Sequence, residues 1–195
     1  MATCDNLLTT AIERNCENVK GFEYEAVLCN REDIDWASVV QNETYHHVYS
    51  AVPLKQGKVG IPCKQMSKGA FGGTQTAMNA GNFRNDFDET VSFKIFDSGI
   101  MAAQAATELS NATLIAIVKQ KNKTADSSEI KPIYRIYGLT GEGLMATEIT
   151  NEPNSDDGNI WNVTLVSKGG SQAATYLWDT SEQATEAKFA AYTAS

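Results

Sequence analysis

Apolar and polar residues alternate along several short segments of the chain, which is the pattern of half-buried β-strands. Phe22–Cys29, Glu89–Phe96 and Ile160–Val166 each place apolar side chains at about every second position. In the predicted strand 112–120, the run Leu114–Val118 is apolar throughout, as in a strand that is covered on both faces. The pattern therefore predicts a mainly β protein with at least one central strand.

Shorter patterns, separated by turn residues, predict the other strands. We expect Val48–Leu54 and Lys58–Cys63 to pair as a hairpin across a turn that ends at Gly57. The polar stretch 151–159 contains Asp-Asp-Gly, a strong turn signal, and is predicted to be a loop. The remaining predicted strands are 133–137, 144–150 and 174–178.

Three segments have helical patterns. Residues 5–16 are predicted to form an amphipathic N-terminal helix. An alanine-rich helix is expected to begin at a cap formed by Asp97 or Ser98 and to end near Leu109. A capping box that starts at Thr180 opens a C-terminal helix. Together with about eight short strands, these helices predict a single domain over 1–195. We expect a β-sandwich or barrel with an inserted short helix and terminal helices.

Residues 64–88 are the least regular part of the sequence. The segment contains several glycines and phenylalanines but keeps neither the period of a strand nor that of a helix. A structureless stretch of this length is uncommon in a compact domain and is usually functional. We predict a long irregular arm that docks on a neighbouring subunit; the alternative is an internal flap packed on its own domain. The predicted interface residues are Phe71, Gly72, Gly73, Phe83 and Phe87.

Composition and charge narrow the function. A chain of 195 residues, 42% apolar and 21% charged, is long enough to bury a core without disulfides or a metal. The net charge is −8 and the basic residues are dispersed, so we expect no specific binding to nucleic acid. The sequence lacks an apolar run of about 18 residues and a signal-peptide pattern. We therefore expect no membrane partner and synthesis in a cytoplasm.

Residues with catalytic chemistry are sparse. The only histidines are His46 and His47, neighbours in a strand-like stretch, where we expect one side chain outside and one in the core. The glycine-rich segment 69–74 lacks the spacing of a phosphate-binding loop. The acidic residues at 86–89 are typical of a solvated strand start rather than an acid–base pair. We predict that the protein is not an enzyme.

Metal ligands and cofactor motifs are equally sparse. The cysteines form no C-x-x-C pair, so reduced thiols are expected rather than a zinc site. The loop 154–159 lacks the positions and closing glutamate of a calcium loop. We therefore predict neither a metal nor a cofactor. The cysteines are Cys4, Cys16, Cys29 and Cys63.

The second half of the chain, residues 89–192, has a characteristic order of elements. The strand ETVSFKIFD is followed by the helix SGIMAAQAATEL, the strand ATLIAIVKQ, the segments YRIYGLTGEGLMATEIT and IWNVTLVSKGG, and a closing helix. This order resembles the tail-tube and related virion proteins of tailed bacteriophages, particularly those of gut Bacteroides phages. The resemblance implies a β-sandwich subunit that forms rings, commonly sixfold, which stack into a tube for DNA passage. The segment 64–88 would then correspond to the loop that reaches a neighbour; the N-terminal helix and the cysteines are outside the resemblance.

The resulting hypothesis is a structural subunit of a phage tail, tube or ring, made in the bacterial host cytoplasm and located in the virion. The resemblance implies copies of itself, as in a hexameric ring, and other tail or neck proteins as partners, with DNA only as passing cargo. An acidic conduit suits this role because a basic one would bind DNA. The alternatives are a head-decoration, neck or connector protein, and a non-viral binding module or a hydrolase using His46, His47 or residues 86–89.

Overall fold

Two sheets and two α-helices make up the described part of the chain, which confirms the predicted mainly β class with an inserted helix and a C-terminal helix. The N-terminal helix predicted at 5–16 lies outside the described residues. The computed structural model describes residues 21–66, 71–81, 84–97, 99–121 and 130–194.

The larger sheet has seven strands. They are β1 (Phe22–Asn30), β2 (Val40–Gln41), β3 (Val48–Ala51), β4 (Ile61–Lys64), β7 (Leu114–Gln120), β8 (Tyr134–Tyr137) and β11 (Thr175–Leu177). Their spatial order is β2-β3-β11-β8-β7-β1-β4. The pair β3–β11 is parallel and the other pairs are antiparallel. As predicted, β7 is a central strand, and its apolar run is buried from Leu114 to Val118.

The smaller sheet has four strands, all antiparallel. They are β5 (Gln75–Asn79), β6 (Asp86–Ile95), β9 (Met145–Ser155) and β10 (Gly158–Gly170). Their spatial order is β5-β6-β10-β9, so β5 and β9 lie at opposite edges.

The core lies in two layers. One cluster fills the space between the sheets, with Leu28 and Val118 on one side and Val91, Phe93 and Leu165 on the other. A second cluster covers the far face of the seven-stranded sheet. The larger sheet is therefore buried on both faces. Among the described residues, core clusters cover only one face of the four-stranded sheet.

The helices begin close to their predicted caps. Helix α1 (Ile100–Leu109) has Gly99 at its N-cap. Of the two predicted cap residues, Asp97 accepts a hydrogen bond from the Gly99 N–H instead, and Ser98 lies outside the described residues. Helix α2 (Glu182–Ala191) is capped by Ser181, whose Oγ accepts from the N–H of Ala184 at 3.1 Å. The cap therefore lies one residue after the predicted Thr180, because the serine oxygen reaches the free N–H of the third helical residue.

The predicted hairpin between Val48–Leu54 and Lys58–Cys63 is wrong. β3 pairs with β2 and β11, whereas β4 pairs with β1 on the other side of the sheet. The chain between them leaves the sheet: Leu54 forms a bridge with Ile34, and Gly60 donates to the carbonyl of Tyr192 beyond α2. The turn at Gly57 therefore reverses the chain without joining two neighbouring strands.

The loop predicted at 151–159 is also wrong, because both flanking strands continue into it. β9 extends to Ser155 and β10 starts at Gly158, with a two-residue connection between them. Gly158 has a φ of +96°, which suits the tight reversal. The side chains of Asn151–Asn154 are exposed, so the usual alternation of apolar and polar residues is missing from this part of the strand.

The segment 64–88 is more regular than predicted. Lys64 ends β4, Gln75–Asn79 forms β5, and β6 begins at Asp86. The prediction that the whole segment is irregular is thus corrected, because its described part contains an edge strand and the start of β6. β5 escaped prediction because it is short and mostly exposed.

Candidate functional site

The four-stranded sheet ends in two strands that each have one unpaired edge. Within the described ranges, β5 pairs with β6 alone and β9 with β10 alone. Such an edge presents a row of backbone N–H and C=O groups that can template another strand. We refer to Gln75–Asn79 as the β5 edge and to Glu148–Glu152 as the β9 edge.

Both edges are regular over five residues. The pairing of Gln75–Asn79 with β6 runs without a bulge, and so does that of Glu148–Glu152 with β10. Neither stretch contains a proline, whereas Pro153, which has no N–H, directly follows the β9 edge. β4, an edge of the other sheet, contains Pro62. The two edges of the small sheet are therefore better suited to accept a strand than the edge at β4.

A contact with the larger sheet anchors the β5 edge from inside the sandwich. Arg135 on β8 donates from Nη2 to Oγ1 of Thr76 and at 3.4 Å to the carbonyl of Ala173. The same guanidinium lies 4.7 Å from the centroid of the Tyr137 ring. β5 is thereby fixed in position although most of its side chains are exposed.

Glu89 lies beside this anchor, paired across the sheet with Thr76, and is only 2% exposed. Its Oε2 accepts the N–H of Gly138 at 2.8 Å. Burial raises the pKa of the Glu89 carboxyl, although the Gly138 N–H and the Arg135 charge each act to lower it. The carboxyl is thus closed off from solvent, and its Oε1 has no hydrogen-bond partner among the described residues.

The face of the small sheet that points away from the core is mostly polar. On β6 the outward positions alternate with the buried Val91 and Phe93, and the same alternation continues onto the paired strands. The exceptions on β10 are Val166 and Ile160, and Ile160 is only 1% exposed. Acidic side chains outnumber lysines on this face, and Lys94 is paired with Asp157 at 2.6 Å. The charged residues at outward positions are Asp86, Asp88, Glu148, Glu152, Lys94 and Lys168.

The inner face of each edge carries an apolar residue. Met78 lies on the inner side of β5, opposite Phe87, and its side chain is 57% exposed. Ile149 lies on the inner side of β9, opposite Val163, and packs against the core cluster between the sheets. On the inner side of each edge the apolar residue is accompanied by one polar residue, Thr76 on β5 and Asn151 on β9.

The predicted interface residues are distributed over different environments. Phe71 is 1% exposed and packs in the chain's own core, with its ring 6.3 Å from that of Phe93, so the prediction that it anchors a neighbour is corrected. Gly72 and Gly73 are exposed, and a Cβ on Gly73 would lie 2.9 Å from that of Ser92. Phe87 is half-buried in β6. Phe83 lies outside the described residues.

The residues considered for catalysis are not brought together. His46 and His47 both lie in an exposed turn, so the expectation that one is in the core is wrong; His47 Nδ1 lies 2.9 Å from the carbonyl of Ala174. In the acidic group, Glu89 points inward while Asp86 and Asp88 point outward, because neighbouring strand residues face opposite sides. The geometry thus separates Glu89 from the two aspartates.

An apolar cleft of about 470 Å³ lies between β4, β6 and α1, with Cys63 in its wall. Burial raises the pKa of the Cys63 thiol to about 12, so the thiol is not activated. Cys29 and Cys63 are both free thiols. Within the described ranges, no group of three His, Cys, Asp or Glu side chains is placed to hold a metal ion. None of the described helices has the length and hydropathy to cross a bilayer.

The sequence predicts the first part of β9, as the strand 144–150, but neither the continuation of β9 to Ser155 nor β5. The Asp-Asp-Gly turn is the signal for that continuation, because a two-residue connection implies that strands extend up to it on each side. β5 gives no comparable signal in the sequence, because only its position in the strand order shows that it is an edge strand.

The chain was compared with protein-family models, curated proteins and solved structures, and no match was found in any of the three.

Proposed function

We propose that the chain is a structural subunit of a phage tail, a tube or ring protein, which assembles by joining the edges of its four-stranded sheet to those of identical copies. The supporting observation is that β5 and β9 form opposite edges of the sheet and that, among the described residues, each has one edge without a partner strand. A contact between two different edges of one sheet is heterologous, and such contacts produce rings when the rotation closes.

Strand direction is compatible with this arrangement. Successive strands in the order β5-β6-β10-β9 are antiparallel, so β5 and β9 run in opposite directions. In a ring with rotational symmetry, β9 of one copy therefore meets β5 of the next copy antiparallel. Each junction would continue the hydrogen-bond pattern of the sheet, leaving no free edge in the small sheets.

Closure also determines which face lines the channel. The seven-stranded sheet covers the inner face of the small sheet, so it must lie outside the ring, where there is room for it. The polar face would then line the lumen. A sixfold ring would contain more strands than the barrels of about 16–18 strands that already leave an aqueous channel. The excess of acidic residues on this face suits a wall along which DNA passes without being bound.

Ala77 provides the experiment, because it is the central outward residue of the β5 edge. The outward residues of the β9 edge are Glu148, Thr150 and Glu152. Whichever of them lies opposite Ala77, a glutamate is therefore either directly across from Ala77 or in the diagonal position. Ala77→Glu would place like charges together, whereas Ala77→Lys, the matched control of similar size, would place opposite charges together.

We expect the wild-type chain and Ala77→Lys to form rings by sedimentation and negative-stain microscopy, and Ala77→Glu to remain largely monomeric. Ala77 is exposed but lies opposite Asp88 on β6, so Ala77→Glu should lower the melting temperature of the isolated subunit only slightly relative to the other two, by the equivalent of about 1 kcal/mol or less. A wild-type chain that stays monomeric at high concentration, or equal assembly of both variants, would contradict the proposal.

A further inference from the structure

We propose that β9 of one subunit adds to β5 of the next in a single register, with Thr150 opposite Ala77. This inference rests on the proposed function and identifies the docking surface and its partner, a second copy of the chain. The five residues of each edge are free of bulges, so one register fixes all five cross-strand pairs.

The inner pairs match in polarity. With Thr150 opposite Ala77, Ile149 faces Met78 and Asn151 faces Thr76. Ile149 already borders the core between the sheets, so covering the exposed Met78 would extend that core across the junction. Thr76 Oγ1 accepts from Arg135, and Asn151 Nδ2 donates to Oδ1 of Asn159 and to the carbonyl of Ile160. The Thr76 hydroxyl can therefore donate to Oδ1 of Asn151 across the junction.

The outer pairs match in charge and hydrogen bonding. In the same register Glu152 faces Gln75 and Glu148 faces Asn79. A carboxylate is an acceptor and a side-chain amide has two donors, so both pairs can form a hydrogen bond to a charged group. The β5 edge adds no further negative charge beside the two glutamates.

Neighbouring registers lose these matches. A shift that places Glu148 opposite Ala77 puts Ile149 against Thr76 and Thr147 against Met78, so apolar residues face polar ones. The opposite shift, with Glu152 opposite Ala77, puts Pro153 against Thr76 and Asn151 against Met78. A shift by one residue exchanges the inner and outer faces altogether.

Disulfide cross-linking of the full chain tests the register. Directly opposite residues have Cα atoms about 4.5–5.5 Å apart, within disulfide range, whereas diagonal neighbours at about 7–8 Å are too distant. Under mild oxidation, the double variant Ala77→Cys with Thr150→Cys should form a covalent ladder up to the closed ring. The offset doubles, Ala77→Cys with Glu148→Cys or with Glu152→Cys, should form no ladder.

Each single-cysteine variant controls for reactions of the native thiols and should also give no ladder. A ladder from an offset double, or rings without any ladder from the Thr150 double, would overturn the register while leaving the proposed function intact. A wild-type chain that does not assemble would overturn both. As a second measurement, Asn79→Asp should weaken assembly and adding Glu148→Lys should restore it; failure of this rescue would also contradict the register.

Discussion

Replacing Phe71 with alanine should destabilise the isolated subunit, although the residue lies in a segment that the sequence assigns to an external arm. Phe71 is 1% exposed and packs in the cluster between the sheets beside Phe93. Removing a buried phenylalanine ring costs about 3–5 kcal/mol, which includes the lost transfer energy and the cavity. For a chain of this size, that corresponds to a fall of roughly 6–20 °C in melting temperature.

Thermal and urea unfolding of the monomer, followed by circular dichroism, would measure this effect. Met78→Ala is the matched control on the same segment, since Met78 is 57% exposed and its truncation should change stability by less than about 0.5 kcal/mol. If Phe71→Ala unfolded at the wild-type temperature, the ring would not be part of the core, and the corrected description of this segment would be refuted.

Three further predictions concern the stability of the subunit. Gly138 has a φ of +79°, and a Cβ there would lie 2.9 Å from the Leu114 carbonyl oxygen. Gly138→Ala should therefore lower the free energy of unfolding in urea by more than about 1 kcal/mol. The control Gly158→Ala, with open space around the added Cβ, should cost clearly less, and equal losses would contradict this prediction. The pKa of Glu89 is raised in the folded state, so the contribution of this carboxyl to folding stability is fully present below its unfolded pKa and is lost as pH rises through its folded pKa. The free energy of unfolding of Glu89→Gln should therefore rise relative to wild type from acid to neutral pH. A difference that does not change with pH would count against a buried carboxylate. Asp33 has a lowered pKa because of its bond to Lys58 at 2.9 Å, so Asp33→Asn should be less stable than wild type at neutral pH, with the difference vanishing as pH falls through the folded pKa; a deficit that persists in acid would refute that cause.

The parts of the fold that could be predicted from sequence are those with strong local signals. The apolar run Leu114–Val118 identifies the central strand because both of its faces are buried. Helix α2 is recognisable from its cap, even though Ser181 rather than Thr180 occupies that position. In both cases the information lies within a few neighbouring residues.

The remaining features depend on long-range contacts. β3 pairs with β11, which is more than a hundred residues away in the sequence. Local patterns favour the nearby strand β4 as the partner of β3, but β4 pairs with β1. Phe71 is buried although its sequence neighbours are not periodic, because a single side chain from a connection fills the space beside Phe93. The β5 and β9 edges become recognisable only when the strand order shows what is left unpaired.

The central claim is that neighbouring subunits share one continuous small sheet, and an electron cryomicroscopy map of the assembled wild-type particle tests it most directly. The account predicts a ring in which β5 of each subunit lies about 4.8 Å from β9 of the next, antiparallel, with the polar face towards the lumen. A particle in which the β5 and β9 edges both face solvent, or in which the seven-stranded sheet lines the channel, would contradict it.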